Sequence, residues 1–578
     1  MATKYVLPNM LAVYQSHLHQ IQSQLAQLHS RQWLTAAALA LTAIVVLALA
    51  VTTLRRLTPL WSVPAPLPIA ALCARRYGRQ NRRRSTLARL RAFYESGVAR
   101  LTNQWQSAPD TGEEYAEPGH LYAHDLNLFG PSSLFQRLSI ARTEPGKRKL
   151  AHYLQSSCPL PETLARQQAI QELTANTALR EQIATLGHDY QQAHAATFSD
   201  WLAHPVQPFP NYLRLLILLT SLAAATIGLI SLPAFYTALA LQLALAWALR
   251  PRVAVIIQNA RLLSVELTLI QQAIKLLSQQ NFESQKLTEI VQTLQPAPAH
   301  LRALSRYLRV LTERNKEHFY LPASVVLLGT QSAMAIENWR AKNDPAMAQW
   351  LDAWSEFEAL QSLACYADEN PATTYPTYAT TPTYEATALS HPLLENPVPN
   401  DINLPNLLLI SGSNMAGKST LLRAIGLNAV LAKTGAPVRA ASLHLSPFTL
   451  VASISIQDAL AEGKSRFLAE VERLKAAITL SKTHPPLLFL IDEIFSGTNS
   501  ADRRQAAQAV LETLTANNAI GVVSTHDLAL TDLSPHNAHM CARTDADPLA
   551  FDYILKPGIN TQSSALAIAR LAGVPVPI

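Results

Sequence analysis

Three kinds of apolar patterning follow one another along this 578-residue chain. The first is helical. Leu11, Tyr14, Leu18, Ile21, Leu25 and Leu28 recur three and four apart, which predicts an amphipathic helix over residues 1–32. Such a seam packs within the protomer or across a dimer. The second kind is continuous. Leu34–Leu54 carries no charged residue, and neither does Leu215–Leu249, which Arg214, Arg250 and Arg252 bound. About 20 apolar residues let a helix cross a bilayer. The first stretch therefore predicts one span, and the second two short spans turning near Ser231-Leu232-Pro233. Leu57–Ala74 is a weaker candidate, because Pro59, Pro64, Pro66 and Pro68 disrupt a regular helix. The competing reading is a set of buried core helices in a large soluble protein. No cleavable signal peptide is expected, since the first apolar stretch begins late and lacks a small-residue cleavage site.

Residues 121–202 and 253–364 return to helical periodicity. A Thr/Tyr/Pro tract follows (ENPATTYPTYATTPTY), and its composition predicts a linker over 366–390. The third kind of pattern begins after it. Short buried-type runs at 407–410, 487–491 and 521–524 alternate with helical stretches and predict an α/β domain over 391–578. The expected fold is therefore multidomain: α-helical transmembrane hairpins (33–75 and 206–252), an all-α body (121–205 and 253–365) and a C-terminal α/β domain, with 76–120 a basic juxtamembrane segment.

A net charge of +7 permits nucleic acid or anionic lipid as partner without choosing between them. Its distribution is more informative. Arg75, Arg76, Arg79, Arg82, Arg83, Arg84, Arg89 and Arg91 form an acid-free cluster directly after the second candidate span. Such clusters are retained on the cytoplasmic side. With two hairpins, the chain is then a multi-pass protein of the cell membrane, with both termini and the α/β domain in the cytoplasm. Arg55 and Arg56, in the short outer turn, run mildly against that rule. The cluster has two readings, lipid headgroup contact and DNA-backbone contact, and the first is preferred. Cys73, Cys158, Cys365 and Cys541 are scattered, which argues against a zinc site or a disulfide framework.

The chemistry sits where the apolar runs end. Leu407–Ile410 opens into Gly412-Ser413-Asn414-Met415-Ala416-Gly417-Lys418-Ser419-Thr420, the spacing of a phosphate-binding loop. Glycines let backbone N–H groups curl around phosphate oxygens, and the following helix turns its positive end toward them. Lys418 is then placed for the β- and γ-phosphates of ATP, and Ser419 for Mg²⁺. The run 487–491 ends in Asp492-Glu493. Asp492 is expected in the Mg²⁺ shell, and Glu493 beside the attacking water. A third run ends in Ser524-Thr525-His526, where His526 can sense the γ-phosphate or polarise the water. The implied activity is ATP hydrolysis.

The loop resembles that of the MutS family, in which Asn-Met precedes the second glycine of the motif. Further segments agree in order and spacing: His391-Pro392-Leu393-Leu394, Asn400-Asp401, Asp492-Glu493-Ile494-Phe495-Ser496-Gly497-Thr498 and Ser524-Thr525-His526. The segment Asp458-Ala459-Leu460-Ala461-Glu462-Gly463-Lys464-Ser465-Arg466-Phe467 looks like the family signature. There a serine of one subunit approaches the nucleotide of the other, and Ser465 is the matching position. Asp125-Leu126-Asn127-Leu128-Phe129-Gly130, Ser133-Leu134-Phe135, Gly146-Lys147-Arg148 and Arg166-Gln167 resemble the start of the MutS core or lever domain. The resemblance implies a P-loop, ABC-type ATPase domain, a homodimer, and DNA (mismatched or branched) as partner in repair.

Departures limit that implication. The first 120 residues leave no room for the mismatch-reading domain, and the 215–249 stretch stands where the family inserts its DNA clamp. Phe93-Tyr94-Glu95 spells the family's Phe-x-Glu wedge but falls on an expected helix beyond the arginine cluster, and reads as coincidence. Asn396-Pro397-Val398 lies where relatives often place an aromatic against adenine. Two functions compete: a membrane-anchored MutS-like ATPase acting on DNA, and an ATP-driven membrane scaffold or switch with protein or lipid partners and no DNA role. An ABC-type transporter half is disfavoured, because an LSGGQ-type segment is lacking and the spans carry no ionisable residue for a substrate path.

Overall fold

The computed structural model describes residues 3–187, 201, 205–227, 231–313, 327–413, 415–455, 466–482, 486–495, 499–544 and 547–559. A mostly helical N-terminal region precedes a C-terminal α/β sheet domain.

Helix α1 (Thr3–Leu54) runs unbroken, so the seam and the first apolar stretch share one rod. The proline-rich segment then does what its composition dictates. The chain makes a 3₁₀ turn at Leu60–Ser62 and resumes as α2 (Leu67–Leu101), with Pro68 in its first turn, where a missing N–H costs nothing. Leu57–Ala74 is accordingly not one continuous helix. α1 and α2 pack antiparallel. Tyr14, Ile21 and Leu28, seven residues apart, are buried against α2. Thr35 donates to Gln80 at 2.8 Å, and Arg84 to Gln32 at 3.4 Å. The seam is thus satisfied within the protomer. Tyr94 is 1% exposed and stacks edge-on to Tyr14, while Glu95 pairs with Arg91 on the same helix. The Phe93-Tyr94-Glu95 tripeptide is therefore a packing element of this hairpin.

The helical body comprises α3 (Leu134–Leu138), α4 (Glu144–Gln155), α5 (Leu160–Ala175), α6 (Thr177–Thr185), α7 (Asn211–Ile227), α8 (Leu232–Leu277), α9 (Gln285–Leu294), α10 (Ala297–Glu313) and α11 (Leu328–Glu369). Helix α11 is its axis and packs on α4, α5, α8, α9 and α10. The base of the first hairpin is clamped to this body by Arg100–Glu369 (2.6 Å), by Arg89 donating to the Thr185 carbonyl (2.8 Å) and by Tyr94 to Glu181. Helices α7 and α8 pack together as a second hairpin, with Pro233 in the first turn of α8. Inside it Gln242 donates to Ser221 at 2.6 Å, both side chains almost fully buried. Among the described residues, two helical stretches, Met10–Leu54 and Pro233–Gln258, are long and apolar enough to cross a membrane.

The C-terminal domain holds β1 (Thr377–Tyr378), β2 (Tyr384–Leu389), β3 (Asn400–Asn403), β4 (Leu407–Gly412), α12 (Lys418–Lys433), β5 (Ser442–Leu445), β6 (Thr449–Ser453), α13 (Arg466–Leu480), β7 (Leu487–Asp492), α14 (Ser500–Ala516), β8 (Ile520–Thr525), β9 (Asn537–Met540), β10 (Ala542–Thr544), β11 (Asp547–Phe551) and β12 (Lys556–Pro557). The main sheet has the order β12-β9-β4-β8-β7-β6, parallel except at β12. Strand β4 is central. Its neighbours pair in register, Ser411 with Thr525 and, one strand on, Asp492 with Ser524. The carboxyl ends of β4, β7 and β8 therefore converge on one edge, where open α/β sheets bind ligands.

One expectation is corrected. The 366–390 tract is not a linker: α11 continues to Glu369, and β1 and β2 belong to a second sheet of order β1-β5-β2-β3. Tyr384 is fully buried and donates to the Ile425 carbonyl at 3.0 Å, and Tyr378 to that of Ala432 at 2.7 Å. The tyrosines fasten this sheet to α12.

Candidate functional site

The loop between β4 and α12 is shaped by its glycines. Gly412 has φ +150°, and a Cβ there would stand 2.3 Å from the Met540 carbonyl oxygen. Gly417 has φ +98° and is the N-cap residue of α12. Neither place tolerates another residue without strain. Lys418 follows at the helix start, buried, with its ammonium turned back to donate to the carbonyls of Gly412 (2.8 Å) and Ser413 (2.9 Å). Burial lowers the pKa of Lys418, while the carboxylates of Asp492 and Glu493 oppose that shift. Ser413 Oγ is buried without a hydrogen-bond partner among the described residues. Met415 and Thr420 are exposed, and Ala416 is buried under the loop.

Ser419 and Asp492 meet directly: the hydroxyl donates to Oδ2 of the carboxylate at 2.5 Å. Ser524, at the end of β8, donates to the other oxygen of Asp492. Two hard oxygen donors at the mouth of a loop presenting an ammonium suit Mg²⁺ beside phosphate. Glu493 stands next to them with φ +55°, its N–H bonded to the Ser524 carbonyl at 2.9 Å. His526 Nδ1 lies 3.0 Å from Glu493 Oε1. Phe495 is also left-handed, at φ +54°, and its N–H donates to buried Glu470 at 2.6 Å. Each left-handed residue costs about 1–2 kcal/mol, and Glu470 holds the turn at Phe495, two residues beyond Glu493.

Of the residues singled out from sequence, Gly412, Ser413, Met415, Ala416, Gly417, Lys418, Ser419, Thr420, Asp492, Glu493 and His526 share this one edge of the sheet. Asn414, the signature segment through Ser465, and Ser496-Gly497-Thr498 lie outside the described residues.

Sequence reasoning missed three participants. Ser524 completes the Asp492 shell; it stood inside a quoted motif but carried no role. Tyr553 is a half-exposed aromatic (45%) whose ring carbon lies 3.0 Å from where a Cβ on Gly417 would stand. Nothing in its flanking residues announces it, since only the fold brings it to the loop. Asn400 holds it there, donating to the carbonyls of Tyr553 (3.0 Å) and Val398 (3.4 Å) and accepting from the Leu555 N–H (2.7 Å). The third is Asp125, at the start of the helical body. It is fully buried and accepts from the N–H groups of Ile454 and Ser455, both at 2.7 Å, and from Arg473. Its own carbonyl accepts from Arg423 of α12 at 3.0 Å. One acid thereby joins the body to α12, to the end of β6 and to α13.

The comparisons with known proteins agree with this architecture. The family description "MutS domain V" matches residues 408–578. The DNA mismatch repair protein MutS of Thermus aquaticus is 39% identical over 193 residues, covering 32% of this chain and 24% of that protein. The MutS protein of Thermus thermophilus is 31% identical over 284 residues, covering 48% and 34%. That of Methanococcoides burtonii is 32% identical over 303 residues, covering 46% and 34%. The matches thus span only a quarter to a third of the relatives' own length. On the loop geometry, the sheet order and these matches, residues 408–578 are a domain of the MutS domain V type, and the chain is similar to MutS proteins over up to about half of its length.

Proposed function

We propose that the chain is a membrane-anchored MutS-type ATPase that binds and hydrolyses ATP with Mg²⁺ at a homodimer interface. The observation that carries this reading is the cluster of Lys418, Ser419, Asp492 and Glu493 at one sheet edge. The P-loop backbone and Lys418 would hold the phosphates, the ammonium exchanging two loop carbonyls for phosphate oxygens. Ser419 and Asp492 would ligate Mg²⁺, which when bound neutralises charge on the phosphates. Glu493 would orient and activate the attacking water, and His526 would fix the carboxylate through the 3.0 Å contact. Tyr553 would stack on the base, which the departure at Asn396-Pro397-Val398 left without an aromatic. Ser465 of the second copy would complete the site. In the Glu493→Ala protein, turnover should be nearly abolished while ATP binding survives; normal turnover would overturn the assignment.

Anchoring rests on exposure. Leu41, Ile44, Leu47, Leu54 and Leu60 are each more than 60% exposed, as are Leu222, Leu241 and Trp247 of the second hairpin. Apolar helices of a soluble core would be covered, and contiguous apolar surface marks a membrane or partner contact. Trp33 and Trp61, both exposed, bracket the first apolar stretch, as interfacial aromatics do. Pairing of Gln80 with Thr35 and of Arg84 with Gln32 sets the exposed Arg75, Arg76, Arg79 and Arg82 level with the start of that stretch. That level suits lipid headgroups and a cytoplasmic ATPase domain. Carbonate extraction tests it: the protein should stay in the membrane pellet.

Mismatched DNA is the partner that the relatives' names suggest, and branched DNA what the family resemblance adds, which would link the protein to DNA repair. The arginine placement favours the second reading, an ATP-driven membrane switch with protein or lipid partners. Salt-sensitive binding of junction DNA by the solubilised full chain supports the first, and no binding at low salt supports the second.

A further inference from the structure

A cavity of about 290 Å³ lies between the helical body and the sheet domain, at the end of α12 remote from the phosphate loop. Cys158, Leu160 and Thr163, around the start of α5, form one wall; Tyr378, Leu445 and Phe448 form another. Its lining is mostly apolar, and Lys433 is the one charged side chain among the lining residues. Lys433, in the last turn of α12, lines it and is partly buried.

The hydrogen-bond accounting around that amine is incomplete. Tyr122 commits its hydroxyl hydrogen to the Gln155 carbonyl at 2.5 Å, so its oxygen accepts from Lys433. The amine also lies 4.4 Å from the Tyr122 ring centroid. An ammonium carries three N–H donors. Among the described residues, neither a second acceptor nor a carboxylate meets Lys433. A partly buried cation with only a phenol and the Cys158 thiol beside it is costly to keep charged. Burial accordingly pushes the pKa of Lys433 down to about 7, so the charge comes and goes near neutrality.

We propose that this cavity binds a small amphiphilic monocarboxylate, with its head on Lys433 and a short hydrocarbon tail against Leu160, Tyr378, Leu445 and Phe448. A single cation suits one negative charge, and the carbonyl end of the helix, which opposes any anion, weighs more heavily against a phosphate dianion. The cavity is roughly twice the size of one that takes up benzene, which suits a tail of about six to eight carbons. Its walls belong to different domains: the Thr163 hydroxyl of α5 donates to the Lys433 carbonyl of α12 at 3.3 Å. A bound carboxylate therefore strengthens the joint between the helical body and the helix that begins at Lys418. Binding itself is independent of the ATPase reading.

The test uses the detergent-solubilised full chain and octanoate as probe. Alkylation of Cys158 by iodoacetamide, followed by mass spectrometry at pH 7, reports on the cavity, with Cys541 as internal control. Octanoate should slow modification of Cys158 at least about tenfold and leave Cys541 unchanged; octanol, lacking the charge, should protect far less. Lys433→Met should abolish the protection. Leu160→Trp, which fills the cavity, should protect Cys158 without octanoate and remove the dependence on it, which keeps the test open if Lys433→Met fails to fold. Unchanged Cys158 modification at millimolar octanoate, or equal protection in Lys433→Met, overturns the proposal.

Discussion

Asp125 is the sharpest place to test how the two regions are joined. It has no water contact, and its carboxylate serves two backbone N–H groups and one guanidinium. Asp125→Ala strands both N–H groups and leaves Arg473 with the Ala452 carbonyl at 3.1 Å. Removing one partner of a buried ion pair costs about 3–5 kcal/mol. Arg473 is 21% exposed, so water relieves part of its loss and the lower end, about 3 kcal/mol, is expected. Asp125→Asn keeps one acceptor oxygen but loses the charge, and should cost about 1–2 kcal/mol. Arg473→Met leaves the two N–H bonds intact and should cost less than Asp125→Ala. The double variant should then be less than additive, because both changes remove the same contact. Urea unfolding of the solubilised full chain, followed by near-ultraviolet circular dichroism, measures each step. Should Asp125→Ala fall within about 0.5 kcal/mol of wild type, the range of ordinary surface changes, Asp125 is not the joint that its contacts describe.

Three other perturbations check separate parts of the molecule. Tyr553→Ala should weaken ATP affinity by about 0.5–1.5 kcal/mol, the worth of an aromatic stack, with turnover at saturation little changed; fluorescent-nucleotide titration reads it. Glu358, buried in α11 and accepting from the N–H of Arg142 at 2.9 Å, has its pKa pushed up from 4.5 to about 7 by burial. The folded state then holds a proton that the unfolded chain has released. The contribution is complete below about 4.5 and is lost as pH rises through about 7, amounting to about 3 kcal/mol; Glu358→Gln should flatten that slope in urea midpoints taken at pH 5 and pH 8. Gly97→Ala puts a Cβ 2.5 Å from the Tyr14 ring. The hairpin should loosen by about 1–3 kcal/mol, read as slower disulfide formation between cysteines placed at Thr35 and Gln80.

The glycine loop and the two strand-end acids were legible because each is local: a run of apolar residues, a turn and a charged residue, all within a dozen positions. The helices through Leu34–Leu54 and Pro233–Leu249 were legible for a similar reason, since long uncharged apolar runs admit few other structures. The tract at 366–390 misled because its composition outweighed its pattern. Thr and Tyr are strand formers, and 384–389 alternates buried and exposed positions along most of its length, but the prolines and repeated threonines read as a linker. What stayed hidden was made by distance along the chain. Asp125 meets Ile454 and Ser455 across more than 300 residues, and Tyr553 reaches Asn400 across about 150. No periodicity encodes such meetings. They follow from the order of the sheet, which brings the start of the helical body under the end of β6 and the last described strands over the phosphate loop. That arrangement gives one mechanical consequence. Helix α12 carries Lys418 at its start, Arg423 on Asp125 in its second turn and Lys433 against α5 at its end. A displacement of the phosphate loop cannot stay local, because the helix that anchors it is fastened to the helical body at two further points.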